Sequence, residues 1–392
     1  MVCRLLRKAR LTPFSQIGLC LLLACGMMTP RALSAQTVTR QQALTLEQQS
    51  KNAEAAEVWL AIAQADPHNA EAFAHLGLIE ARQEHYAEAI SDYRKAIAIN
   101  PDMPSLEMNL GLALFKTNQF AEAIKAFSAE LKKHPGDPRL TILLGMAHYG
   151  MGDYLVAIPY LKQAAEHDPQ SLQLRLTLAH SCLWSKQYQC VLDTYKEILT
   201  LNAESAEADM IAGEALDAMG DTTHATEQFR AATKANPKEP DVHFGLGYLL
   251  WTQSQYTEAA EQFQAELDND PTHAQARSYL GDSYVQLHDY TKAQGELDKA
   301  VAADPSSAMV HRDLGIVYAE SGRQQDAVAE LQKAIALDLK DVSSHWRLAR
   351  LYQSMGRKDE AKAEFATAST MNKESIQGLV QKISGAHAPA QP

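Results

Sequence analysis

The chain has 392 residues, long enough for two or three globular domains, with 36 basic and 48 acidic side chains and a formal charge of -12. Its first thirty-five residues hold five of the cations (Arg4, Arg7, Lys8, Arg10, Arg31) and no acid, which leaves 31 cations against 48 acids, or -17, on the remainder. An excess of that size argues against nucleic-acid backbones and anionic lipid surfaces as partners, because both carry the same sign.

The amino terminus runs from a basic region (Arg4 to Arg10) through an apolar stretch (Ile17 to about Met28) to Ala32-Leu33-Ser34-Ala35 before Gln36. This layout is that of a bacterial-type secretory signal, too short and wrongly flanked for a good spanning helix. It predicts that residues 1–35 are a signal peptide cleaved after Ala35 and that the rest is exported to a periplasmic or secreted location. Leu22-Leu23-Ala24-Cys25 also resembles a lipobox, although Leu23 stands where a small residue is usual, so a lipoprotein anchored at Cys25 is the alternative form. An uncleaved anchor is the third.

From Gln36 the same residue types return every thirty-four positions, ten times, with no insertion or deletion. The eighth place of each unit is small, from Ala43, Gly77, Gly111 and Gly145 through Gly315 and Ala349. The twentieth is alanine except for Val191, and the twenty-fourth is large, as in Trp59, Tyr93, Phe127, Leu161, Phe229, Phe263 and Leu331. Proline closes seven units at the thirty-second place, from Pro67 to Pro305. Small residues on two facing helices let the backbones approach, the large one fills the groove toward the next pair, and proline ends the second helix. The period predicts one solenoid over residues 36–372 in place of several compact cores.

A Leu-Gly pair such as Leu76-Gly77, then Ala89, Tyr93 and Pro101, at this spacing resembles the tetratricopeptide repeat (TPR) family. The resemblance covers residues 36 to about 375. It implies an all-α, right-handed superhelical solenoid of about ten helix-turn-helix repeats, acting as a scaffold or adaptor for other proteins.

Local signals agree with that frame. The first unit carries Gln42 where others have leucine, as a polar amino-terminal cap would. Asn69, Asp137, Ser171, Ser205, Ser307 and Asp341 are placed to cap first helices. Pro104, Pro138 and Pro240 are expected within the first helical turn. Asn118, Gly152, Gly220, Gly322 and Gly356 share the fifteenth place, where a left-handed residue turns the chain back. Cys182 and Cys190 flank that turn in the fifth unit and are read either as buried thiols or, in an oxidising compartment, as a disulfide. After the tenth unit, Ile376, Leu379, Val380 and Ile383 recur at helical spacing, so residues 373–384 are expected to form one more, capping helix, followed by a disordered tail over 385–392.

In the family, first helices line the concave face, and their outward places meet the ligand. Carried over unit by unit, those places hold Leu78, Met108, Leu112, Phe115, Ile142, Met146, Tyr149, Leu176, Leu183, Trp184, Met210, Phe244, Tyr248 and Trp251. An apolar inner wall points to an apolar or amphipathic peptide or helix, and its methionines suit more than one sequence; the alternative is packing between neighbouring first helices. Trp59 is explained by packing alone. The family's two-carboxylate clamp for acidic chaperone tails is absent, its places holding Ala74 with Leu78, Met108 with Leu112, and Ile142 with Met146. Toward the carboxy end the groove turns charged (Asp282, Arg312, Trp346, Arg347, Arg350), as a second contact for an acidic segment or as mutually paired charges.

Catalysis has no motif to support it: H-E-x-x-H, G-x-S-x-G and a phosphate-cradling glycine loop are all missing. No cofactor or metal is expected, and an enzyme with an unrecognised site is the remaining rival class. His243, His311 and His345 share a fourth place, where packing at a helix start is the expected role. His180 faces the groove, available to hydrogen-bond a ligand.

Overall fold

The computed structural model describes residues 39–385, so the expectations for the signal peptide, for Cys25 and for residues 386–392 lie outside the described residues. Within it, twenty helices form ten hairpins in register with the thirty-four-residue units. The first five are α1 (Arg40–Gln48) with α2 (Asn52–Ala65), α3 (Ala70–Arg82) with α4 (Tyr86–Ile99), α5 (Leu106–Lys116) with α6 (Phe120–Lys133), α7 (Pro138–Met151) with α8 (Tyr154–His167), and α9 (Leu172–Trp184) with α10 (Tyr188–Leu201). The second five are α11 (Ala206–Ala218) with α12 (Thr222–Ala235), α13 (Val242–Thr252) with α14 (Tyr256–Asn269), α15 (Ala274–Gln286) with α16 (Tyr290–Ala303), α17 (Ala308–Glu320) with α18 (Gln324–Leu337), and α19 (Val342–Ser354) with α20 (Lys358–Gly385). No helix among them is long and apolar enough to cross a membrane.

Inside the seven hairpins with glycine at the eighth place, the nearest atoms to that glycine belong to the large side chain of the twenty-fourth, joined at Gly213 and Gly315 by the backbone oxygen of the alanine of the twentieth. A Cβ at Gly111 would stand 2.5 Å from the Phe127 ring, and one at Gly247 would stand 2.8 Å from the Phe263 ring. Both rings are fully buried, and each such burial contributes on the order of 2 to 3 kcal/mol. A second tie repeats in the last four units, where the fourth-place side chain bonds the twenty-third. His243 pairs with Gln262, Arg277 with Glu296, His311 with Glu330 and His345 with Glu364, at 2.5 to 2.7 Å. The three histidines are thus engaged within their own hairpins.

Hairpin closure overrides residue preference at the turns. All ten fifteenth-place residues are left-handed, including Ser50, Glu84, Asn118, Lys186, Ser254 and His288, which are not glycine. The six expected cap side chains each accept a backbone N–H from the first turn of their helix. Of the three prolines, only Pro138 begins a helix. Pro104 and Pro240 lie outside theirs, because left-handed Ser105 and Asp241 follow them and delay α5 and α13 by two residues. Gln42 is exposed and Ala43 buried, as an amino-terminal cap requires.

The carboxy-terminal segment differs from expectation. Residues 373–384 are helical, but as a continuation of α20 and not as a separate helix. Lys373 stands where seven units have proline, and the residues after it do not resume the repeat, so nothing interrupts the i to i-4 ladder. Ile376, expected to cover the last hairpin, is 54% exposed.

Successive hairpins stack with the second helix of one against the first helix of the next, and first helices also touch each other (α3 with α5, α7 with α9, α9 with α11, and onward to α17 with α19), whereas second helices do not approach one another in this way. First helices therefore lie on the shorter, inner side of the solenoid. Cys182 and Cys190 form a disulfide across the fifth hairpin. Closing so short a loop contributes about 2 to 3 kcal/mol.

Candidate functional site

The inner face presents places five, nine, twelve and thirteen of each first helix, so a single sequence register decides what a partner would meet. Leu78 is half-buried, as are Met108, Phe115, Ile142, Met146, Tyr149 and Leu183, each of these six with one side against the cores below. Leu112 is more open, and Trp184 is 48% exposed. The Trp184 indole lies 4.7 Å from the Tyr154 ring, 5.7 Å from Tyr149 and 5.0 Å from His180, forming one platform on α7 to α9. Leu176 does not join it, because it is buried in the fifth hairpin. His180 is engaged through Nε2 with Glu207 at 2.9 Å, although its Nδ1 is buried without a partner.

A second group forms where Met210, Phe244 and Tyr248 line a cavity of about 520 Å³ between α11 and α13. Phe244 stacks obliquely on His273 at 4.8 Å and lies 6.0 Å from Tyr279. Tyr279 also meets Tyr248 at 5.6 Å and Trp251 at 5.1 Å. The Trp251 indole N–H donates to buried Asp282 at 2.6 Å, so part of this aromatic surface joins repeats to each other. Tyr279 and His273 escaped the sequence reading because they lie one place away from the inner register or between repeats.

The same cavity carries Glu214, Asp217 and Asp241. Glu214 and Asp217 occupy the ninth and twelfth places of the sixth unit, so the register already contained them. Nothing in the sequence sets them apart from the solvated acids that fill the rest of the chain. Desolvation by the groove walls, reinforced by the Asp241 charge and opposed by His180, lifts Glu214 above the usual carboxylate range.

Asp241, Glu266 and His273 bring one donor atom each to within 4.8 Å of one another, the spacing of a metal site. Their donors are otherwise committed. Glu266 accepts the backbone N–H groups of Asp241, His243 and Phe244 at 3.0 to 3.2 Å, and Asp241 takes His273 at 2.9 Å. Glu266 thus caps the start of α13, while His273 accepts the Ala276 N–H at the start of α15 and ties it to Asp241.

At the carboxy end, Arg312 contacts buried Asp282 at 3.3 Å and buried Asp313 at 3.0 Å. Burial raises the Asp313 carboxyl well above its ordinary value, only partly opposed by Arg312, and its Oδ2 is unpartnered. Burial would lower Arg312, but the two carboxylates outweigh it and raise the guanidinium. Arg312 thus belongs to an internal network, the paired-charge alternative of the two expected for this end of the groove. Trp346 is 40% exposed against Phe365, at 5.0 Å. Arg347 and Arg350 are exposed and make no ion pair among the described residues. Crowding in the groove and the Arg312 charge lower Arg347.

The family model for the tetratricopeptide repeat matches residues 40–104, 108–171, 212–274, 280–341 and 342–375, well over half of the chain. The chain belongs to the tetratricopeptide repeat family. The matches leave out the fifth unit, where Ala179, Val191 and Ala203 depart from the pattern and the disulfide sits. No curated protein sequence matches this TPR protein.

Among solved structures, a TPR protein from Parabacteroides merdae is 16% identical, with 63% of this chain and 97% of that one aligned and a TM-score of 0.45. YrrB, described as a TPR protein with an unusual peptide-binding site, is 20% identical over 47% of this chain and 95% of its own, at a TM-score of 0.43. TTC0263 of Thermus thermophilus is 27% identical over 47% and 100%, at 0.37.

Proposed function

We propose that this TPR protein is an exported scaffold that holds an apolar or amphipathic peptide or helix of another protein along its inner face. The observation that carries the reading is the row of large apolar side chains left open there: Leu112, Trp184, Tyr248 and Trp346 are each more than a third exposed. A face meant only for water needs no indoles, and aromatic side chains in a concave surface are the usual anchors of peptide recognition. Ordering the peptide offsets much of the gain from burying it, so modest affinity is expected.

The test is retention of envelope proteins by immobilised wild type and by a Trp184→Ala, Tyr248→Ala variant. Both substituted side chains are exposed, so the variant keeps its fold and loses the specifically bound proteins; equal recovery by both would move the binding surface elsewhere. Trp251 is left intact because its loss would strip buried Asp282 of a donor. Export is tested on the mature protein itself. Sequencing is expected to begin at Gln36, whereas palmitate labelling abolished by Cys25→Ala would favour the lipid-anchored form.

A further inference from the structure

We propose that the cavity between α11 and α13 is a subsite for one lysine or arginine side chain of the bound peptide, an inference that rests on the inner face being the peptide groove. Its walls and its rim ask for opposite chemistries. Met210, Phe244 and Tyr248 offer a thioether and two rings, while Glu214, Asp217 and Asp241 offer three carboxylates, and no lysine or arginine lines the cavity among the described residues.

The carboxylates are unequally satisfied. Asp241 is occupied by His273 at 2.9 Å, and Asp217 receives only a long hydrogen bond from the Thr222 hydroxyl at 3.4 Å. Glu214 is exposed at the mouth of the cavity and has no hydrogen bond or ion pair among the described residues, and the atoms of the groove around it raise its pKa.

An apolar side chain entering this space would cover Glu214 further without pairing it, and an acidic one would be repelled. A long basic side chain satisfies both halves. Its methylenes lie against the rings while its head reaches the carboxylates, with the ring faces adding attraction for the cation. The excess of 48 acids over 36 bases draws such a segment toward the groove. The subsite is also opposite in sign to Arg347 and Arg350 further along the inner face.

A random dodecapeptide library on phage, panned against wild type, Glu214→Gln and Tyr248→Ala, tests this. Wild type is expected to enrich peptides with lysine or arginine beside apolar residues, and Glu214→Gln to lose that preference while still selecting apolar sequences. In the synthetic form of the most enriched peptide, exchanging the basic residue for norleucine should weaken binding to wild type about tenfold and leave binding to Glu214→Gln nearly unchanged. Enriched peptides without a basic residue, or norleucine peptides bound as tightly by wild type, would overturn the subsite and leave the groove standing. Failure of wild type to select any peptide over Tyr248→Ala would remove the groove and the subsite together.

Discussion

The third and seventh repeats are the same scaffold with different faces. Each opens with a proline (Pro104, Pro240), continues with a left-handed residue (Ser105, Asp241) and delays its first helix to the same eleven residues. Each buries a phenylalanine over its glycine and a glutamate at the same place (Glu130, Glu266). On the inner face, however, Met108, Leu112 and Phe115 of one correspond to Phe244, Tyr248 and Trp251 of the other. Places that hold the hairpin together are fixed by interior fit, whereas inner places satisfy the fold with any side chain of moderate size. That freedom is where partner choice can be written.

The comparison can be broken first at the interior. Phe127→Ala and Phe263→Ala should each cost about 3 to 5 kcal/mol, since both rings are fully buried and leave similar cavities. Hydrogen exchange of α5 and α6 against α13 and α14 would report each loss locally. A clear inequality between the two repeats would show that the scaffolds are not equivalent.

The buried glutamates should then separate the two. Glu266 accepts three backbone N–H groups, so Glu266→Ala is expected to cost about 1 to 3 kcal/mol in denaturant unfolding. Glu130 has one oxygen buried with no partner and the other 3.6 Å from His134, so Glu130→Ala should cost under about 1 kcal/mol.

On the inner face the order of effects reverses. Leu112→Ala and Tyr248→Ala should each change stability by less than about 1 kcal/mol, because both side chains are partly exposed. Partner retention in pull-down should fall more for Tyr248→Ala.

The smallest effect is at the turns. Ser254→Gly should raise stability by about 0.5 to 1 kcal/mol, and Asn118→Gly by only a few tenths, because asparagine tolerates the left-handed conformation better than serine. Paired thermal melts would resolve the difference.

Much of this was legible in the chain because each signal is local and repeated. The small residues Gly111 and Ala123, the caps at Asn69 and Ser171, and the turn at Gly152 all act within a single hairpin, although the closeness of Phe127 to Gly111 shows only in the fold. What was not legible depends on distant partners. Proline at the head of a unit suits either a first turn or a preceding loop. In the seventh repeat the loop wins, with Glu266 of the second helix bonding the amides that follow Pro240. The merging of residues 373–384 into α20 follows from Lys373 standing in the place of proline and from residues 376–384 that do not resume the repeat pattern. At the candidate site, Trp184 and Tyr248 could be read directly, but the choice between a ligand contact and a paired charge for Arg312 could not, because its partner Asp282 meets it only once successive hairpins stack. Glu214 sits in the inner register, but its setting among Phe244 and Tyr248 exists only once α11 and α13 are side by side.

Each hairpin touches only the hairpins next to it. Mechanically, this makes the molecule a chain of compliant joints in series, in which a small rotation at every joint sums to a large change in curvature. A long ligand can therefore be accommodated by spreading the deformation thinly over many interfaces, with no single one forced open.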